Sequence, residues 1–172
     1  MSSPNQIKKG PSDPVSTPRG KLRRRIRPLV KATGIVFLAT GLMATISFAW
    51  RVEFNPDPTV WFTPAYYSQF LPLAVSCMLL VSGLLLTFER SKANFYLAVF
   101  GHTSSEEAAF HWIGLTRSSL PTWVMWVFFI LSLVALCIAY GNLLGKKRLS
   151  VPEALFGLAL GTSLALFGSG SP

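Results

Sequence analysis

Four stretches of this chain stay apolar for close to the thickness of a bilayer, with short polar segments between them. The first, residues 32–50, reads ATGIVFLATGLMATISFAW, nineteen residues without a charge. An α-helix rises about 1.5 Å per residue and a hydrocarbon core is about 30 Å thick, so a run of this length crosses it. Residues 71–88 form the second run, with Pro72 in its first turn, where a missing N–H does no harm. Residues 121–145 form the third, longer than a bilayer needs and so expected to tilt or project. Residues 151–168 form the fourth. Ser150 with Glu153 three residues on is a capping box at its start.

Two segments between these runs do not fit the pattern. Residues 51–70 carry Pro56, Pro58 and Pro64 among Phe54, Trp61, Phe62, Tyr66, Tyr67 and Phe70. The prolines rule out a long helix, and the aromatic rings suit a loop at the interface on the far side of the membrane. Residues 94–100 are apolar but too short to span, and Gly101-His102 interrupts them. Thr103 with Glu106 and Ser104 with Glu107 then repeat the capping-box spacing. They predict a new amphipathic helix over 105–115, lying on the cytoplasmic face.

Charge sets the orientation. Nine of the sixteen lysines and arginines fall at or before Lys31, and Arg23, Arg24, Arg25, Arg27 and Lys31 directly precede the first apolar run. The positive-inside rule puts this block in the cytoplasm or its organellar equivalent, where it also meets anionic lipid headgroups. If four spans simply alternate, both termini lie inside. Twelve basic residues are then inside, and Arg51, Lys146, Lys147 and Arg148 are outside. That last cluster runs against the rule. A tail that abuts a membrane helix is read as an orientation and lipid signal, and no nucleic-acid partner is expected.

The expected organisation is therefore an all-α polytopic membrane protein. It has a disordered tail over 1–20, a polybasic segment over 21–31, and a transmembrane domain over 32–172 with four spans and one cytoplasmic interfacial helix. A secretory signal peptide does not fit, because the apolar run starts late and is too long. A bacterial inner, thylakoid or organellar inner membrane fits the absence of any Asn-x-Ser/Thr sequon.

Candidate chemistry is sparse. Cys77 and Cys137 lie in apolar runs without the spacing of a metal site. The central parts of the four runs hold no ionisable residue, which speaks against a proton relay or an ion-coupled carrier made by this chain alone. His102 and His111 are the only histidines. Either one could ligate haem or a chlorophyll-type pigment, and Glu107 shares a helix face with His111. No phosphate loop, nucleophile elbow or metal motif appears.

Small residues recur at helix-packing spacing in Gly41, Thr45 and Ala49 and again in Gly157, Gly161, Ala165 and Ser169. Together these features point to a non-catalytic subunit or assembly factor packed against other integral membrane proteins. A small homo-oligomeric channel or carrier and a cofactor-binding membrane protein are the alternatives.

Overall fold

Glycine-lined seams and one central helix organise the chain. The computed structural model describes residues 18–116, 118, 120–141 and 149–168, and among these every regular element is helical. In order they are α1 (Pro18–Ala49), a single 3₁₀ turn (Val60–Phe62), α2 (Pro64–Ser68), α3 (Leu71–Thr87), α4 (Ala93–Trp112), α5 (Thr122–Gly141) and α6 (Val151–Gly168). Three helices are apolar and long enough to cross a membrane, within 28–49, 66–87 and 122–141, and Val151–Leu166 is a shorter apolar helix.

The backbone of α1 is helical from Pro18, so the expected disordered tail gives way to helix by residue 18, and the polybasic segment is continuous with the first apolar run. Residues 1–17 lie outside the described residues, as do Lys146, Lys147, Arg148, Arg117 and Ser169.

α1 and α3 pack antiparallel along three glycines. Gly34 faces Thr87 and Gly83, Gly83 faces Leu38, and Gly41 lies against the backbone of Leu80. Farther along, Thr45 Oγ1 reaches Cys77 Sγ at 3.9 Å, and at the opposite end Lys31 pairs with Glu89 at 3.4 Å. α3 closes in a Schellman arrangement: Glu89 takes φ of 50°, and Arg90 N–H donates to Leu85 O at 2.9 Å. Only two residues beyond it, α4 begins.

α4 corrects the sequence expectation. In place of a short apolar piece and a separate interfacial helix there is one unbroken helix of 20 residues, most of it buried. Neither of the two expected capping boxes forms within it. Thr103 Oγ1 donates to Val99 O at 2.8 Å and Ser105 Oγ to Gly101 O at 2.6 Å, so these hydroxyls are satisfied by their own helix and do not start a new one. Gly101 does not break the helix either. Its missing side chain admits α5, since a Cβ there would come within 2.6 Å of Leu136 Cγ. Packing thus outweighs the roughly 1 kcal/mol that glycine costs a helix.

α5 runs antiparallel to α4, with Gly101 opposite Ser132 and Leu136 and with Trp112 stacked near Trp126. α6 runs parallel to α4, Gly157 over Ala98 and Val99 and Gly161 over His102 and Thr103. Phe100, fully buried, joins the two halves by touching Phe37 of α1 and Phe128 of α5. The Ser150–Glu153 capping box at the start of α6 is formed, with both Ser150 N and Oγ 2.8 Å from Glu153 Oε2.

These directions give the bundle two distinct ends. One gathers Lys31, the α3–α4 turn, the last turn of α5 and the first turn of α6. The other gathers Trp50, the loop over 51–70, the α4–α5 turn and, beside α2, the end of α6. The loop is held by its own polar groups. Trp61 Nε1 donates to Asn55 O at 2.6 Å, and Gln69 exchanges bonds with the Glu53 backbone. The Thr59 backbone N–H and hydroxyl hold the Asp57 carboxyl below its ordinary range. That turn therefore keeps both bonds at neutral pH and loses them only as acid protonates Asp57.

Candidate functional site in the middle of the fourth helix

Residues 102–107 of α4 read HTSSEE, six polar residues in a helix packed against α5 and α6. Successive residues on an α-helix point about 100° apart, so Glu106 and Glu107 serve different surroundings.

Glu106 belongs with His102, one turn earlier. Glu106 Oε1 is 3.3 Å from His102 Nδ1, and His102 Nε2 is 2.8 Å from the hydroxyl of Tyr140 on α5. With the Nδ1 proton directed at Glu106, Nε2 accepts from the tyrosine. The three groups form a chain carboxylate–imidazole–phenol that ties α4 to α5. Both ring nitrogens of His102 are engaged, so in this arrangement it has none to offer a haem or a pigment metal.

Glu107 is 1% exposed, among the most buried side chains of the molecule. Its Oε1 accepts from Ser118 Oγ at 2.7 Å. Ser118 also donates its backbone N–H to His111 Nδ1 at 3.4 Å and accepts from Leu120 N–H at 3.1 Å. One serine thereby fastens the α4–α5 turn onto the helix it has just left. Gly114, with φ of 75°, lets the chain reverse there. Glu107 and His111 share a face as their spacing implies, joined through Ser118. The two histidines, nine residues apart, lie half a turn out of phase and do not meet.

The remaining oxygens are unusual. Glu106 Oε2, Glu107 Oε2, Ser104 Oγ and Thr116 Oγ1 are buried without a hydrogen-bond partner among the described residues. A buried polar atom left unpaired costs about 1–3 kcal/mol, and an unpaired ionised carboxylate costs more. Among the described residues no three of His, Cys, Asp and Glu converge as metal ligands.

The small-residue positions are found at helix contacts within the chain. Gly41 packs on α3, Gly157 and Gly161 pack on α4, and Ala165 is fully buried, while Ala49 is exposed. Lys31 sits at the bundle end, and Arg23, Arg24, Arg25 and Arg27 lie in the helical backbone just before it. Sequence spacing pointed to the His102, Glu106, Glu107 and His111 set. It gave no sign of Tyr140 or Ser118, because both join the set only through the register of α5 and the turn before it. Comparison with known families, with characterised proteins and with solved structures finds no match to this chain.

Proposed function

We propose that this chain is a membrane protein in which five helices cross the bilayer, α4 among them, and that it works by taking up and releasing a proton at the middle of α4, without covalent chemistry. Two features support the topology. α4 has 20 residues, about 30 Å of helix, and packs within the bundle against α3, α5 and α6. With five spans the segment linking α5 to α6 returns to the side of the tail. Fourteen of the sixteen basic residues then share that side, leaving Arg51 and Arg117 opposite. The conflict with the positive-inside rule disappears.

The observation that carries the function is Glu107, a fully buried carboxyl with one oxygen unpartnered among the described residues. An ionisable group at membrane depth is costly and is kept where it acts. A channel or carrier handling protons is the class this supports. Glu107→Gln retains the shape and can still accept from Ser118 while removing the charge. The thermal midpoint in detergent should stay level or rise, because a neutral isostere relieves the cost of a buried charge. Glu107→Ala should lower it, by roughly 1–3 kcal/mol for the orphaned Ser118 hydroxyl and the cavity. In infrared difference spectra across a pH step, the wild type should show a carboxyl band that Glu107→Gln lacks. Identical spectra for the two proteins would overturn the proposal.

A non-catalytic subunit of a larger membrane assembly is the second reading. Exposed Trp50, Phe54, Tyr67, Ile113 and Trp123 at the end away from the basic residues favour it. Gly41 of α1 and Gly157 and Gly161 of α6 already face helices of this chain, and the aromatic crown is a surface that a partner could use. Isolation in mild detergent together with one partner of fixed stoichiometry would support it.

A further inference from the structure

α1 lies on α3 and α5 lies on α4, but α1 and α5 make only marginal contact with each other. A groove of about 440 Å³ remains between them. Leu29 and Val30 form one wall, and Leu133, Val134 and Ile138 form the other. Thr33 also lines the groove, yet its hydroxyl donates to Leu29 O at 3.0 Å and has no proton left for a ligand. With Cys137 the only other non-hydrocarbon side chain in the lining, the groove suits a hydrocarbon chain.

The mouth is different in kind. α1 continues from the groove toward its N-terminus without a break, and its preceding turns carry Lys21, Arg23, Arg24, Arg25 and Arg27. Lys31, half exposed, follows Val30 on α1 and pairs with Glu89 at the end of α3. A single molecule that matches both parts has an acyl chain joined to an anionic headgroup.

We infer that the α1–α5 groove holds one acyl chain of an anionic phospholipid from the leaflet on the basic side, its phosphate bound by the basic turns of α1. This rests on the basic end being a membrane–water boundary, and it holds whether four helices cross or five. It also stands apart from the proton site, because none of the residues lining the groove belongs to α4. Charge complementarity selects the lipid over a second helix, which would need an acidic terminus opposite five basic positions. The bound chain would fill the gap that α1 leaves beside α5 and so fasten the first hairpin to the rest of the bundle.

The test uses the full chain, purified in neutral detergent and titrated with phosphatidylglycerol or phosphatidylcholine, with bound lipid counted by native mass spectrometry. One phosphatidylglycerol per chain should be retained, with at least tenfold preference over phosphatidylcholine. Val134→Trp, which fills the groove, should abolish retention of both lipids. Replacing Arg24, Arg25 and Arg27 by glutamine should remove the preference and leave weak, headgroup-blind binding. Ile46→Trp, on an exposed part of α1 away from the groove, should change nothing. Thermal midpoints of all variants in lipid-free detergent would show that each is folded. Equal retention of the two lipids by the wild type would overturn the inference. So would unchanged phosphatidylglycerol binding by a folded Val134→Trp, or a protein in place of a lipid on this surface.

Discussion

Leucine at Gly83 should leave no folded protein to extract from the membrane, and alanine there should already lower the thermal midpoint by roughly 2–12 °C, taking an overpacking cost of about 1–3 kcal/mol and roughly 2–4 °C per kcal/mol at this chain length. A Cβ at Gly83 would meet the backbone nitrogen of Leu38 and would stand 2.8 Å from the Leu38 Cα and the Phe37 carbonyl carbon. At Gly41 it would stand 2.5 Å from Leu80 N and 2.7 Å from its Cα. These neighbours are main-chain atoms, so relief requires the helices to separate. Separation is expensive here because helices in lipid are held by close packing and not by exclusion of water. Gly157 and Gly161 of α6 should behave differently from each other. A Cβ at Gly157 would find its nearest neighbour, Val99 Cγ2, at 3.7 Å, an ordinary contact, whereas at Gly161 it would come within 2.7 Å of His102 Cβ. Gly157→Ala should therefore be neutral or stabilising, since alanine is the better helix former. Gly161→Ala should destabilise and disturb the His102–Tyr140 bond. Equal midpoints for Gly83→Ala and Gly157→Ala would disprove this account of the seams.

The same glycines show how far the sequence could be followed. Spacing placed small residues on one ridge of the first and last helices, and the structure puts α3 against Gly41 and α4 against Gly157 and Gly161, while Ala49 is exposed. Spacing could not name the helix that fills each ridge. That follows from the antiparallel return of α3 and the parallel course of α6, which depend on long-range packing. The capping box at Ser150 was legible because nothing competes with it: a loop precedes it and an apolar helix follows. The same pattern at Thr103 and Ser104 misled because both residues lie inside a helix whose neighbours reward continuity. A hydroxyl that bonds to the carbonyl one turn back serves a helix interior as well as a start. Hydropathy failed at α4 for a related reason, since it counts the six polar residues 102–107 as solvent-seeking. Five of them in fact find partners on α4, α5 or the turn between them. Tyr140 and Ser118 carry no local signal at all. They belong to the site only because α5 folds back beside α4 in one register.

Maleimide labelling from the two sides of the membrane should place Ser119→Cys opposite the tail and Gly145→Cys on the same side as the tail. The background is Cys77→Ser with Cys137→Ser, and Ser16→Cys marks the tail. In sealed vesicles of known orientation, an impermeant maleimide that reaches Ser16→Cys should also reach Gly145→Cys and should miss Ser119→Cys. Four spans with α4 lying on the surface predict the reverse for both loop positions, so the two topologies leave no shared outcome. The physics favours the first. Laying α4 flat would pull its buried face from α5 and α6, expose Phe100 and Leu97, which have no exposed surface in the bundle, and open the chain from Glu106 through His102 to Tyr140. It would also carry Lys146, Lys147 and Arg148 to the side that membrane insertion disfavours for basic residues. Against this stands the insertion of Glu106 and Glu107, at about 2.5–3.5 kcal/mol for an acidic residue at a helix centre on the insertion scale. Much of that cost falls away once Glu106 is paired with His102 one turn earlier and Glu107 with Ser118 of the α4–α5 turn. Labelling at position 145 decides whether Glu107, with one oxygen bound to Ser118 and the other unpartnered among the described residues, sits at the depth that the proposed proton exchange requires.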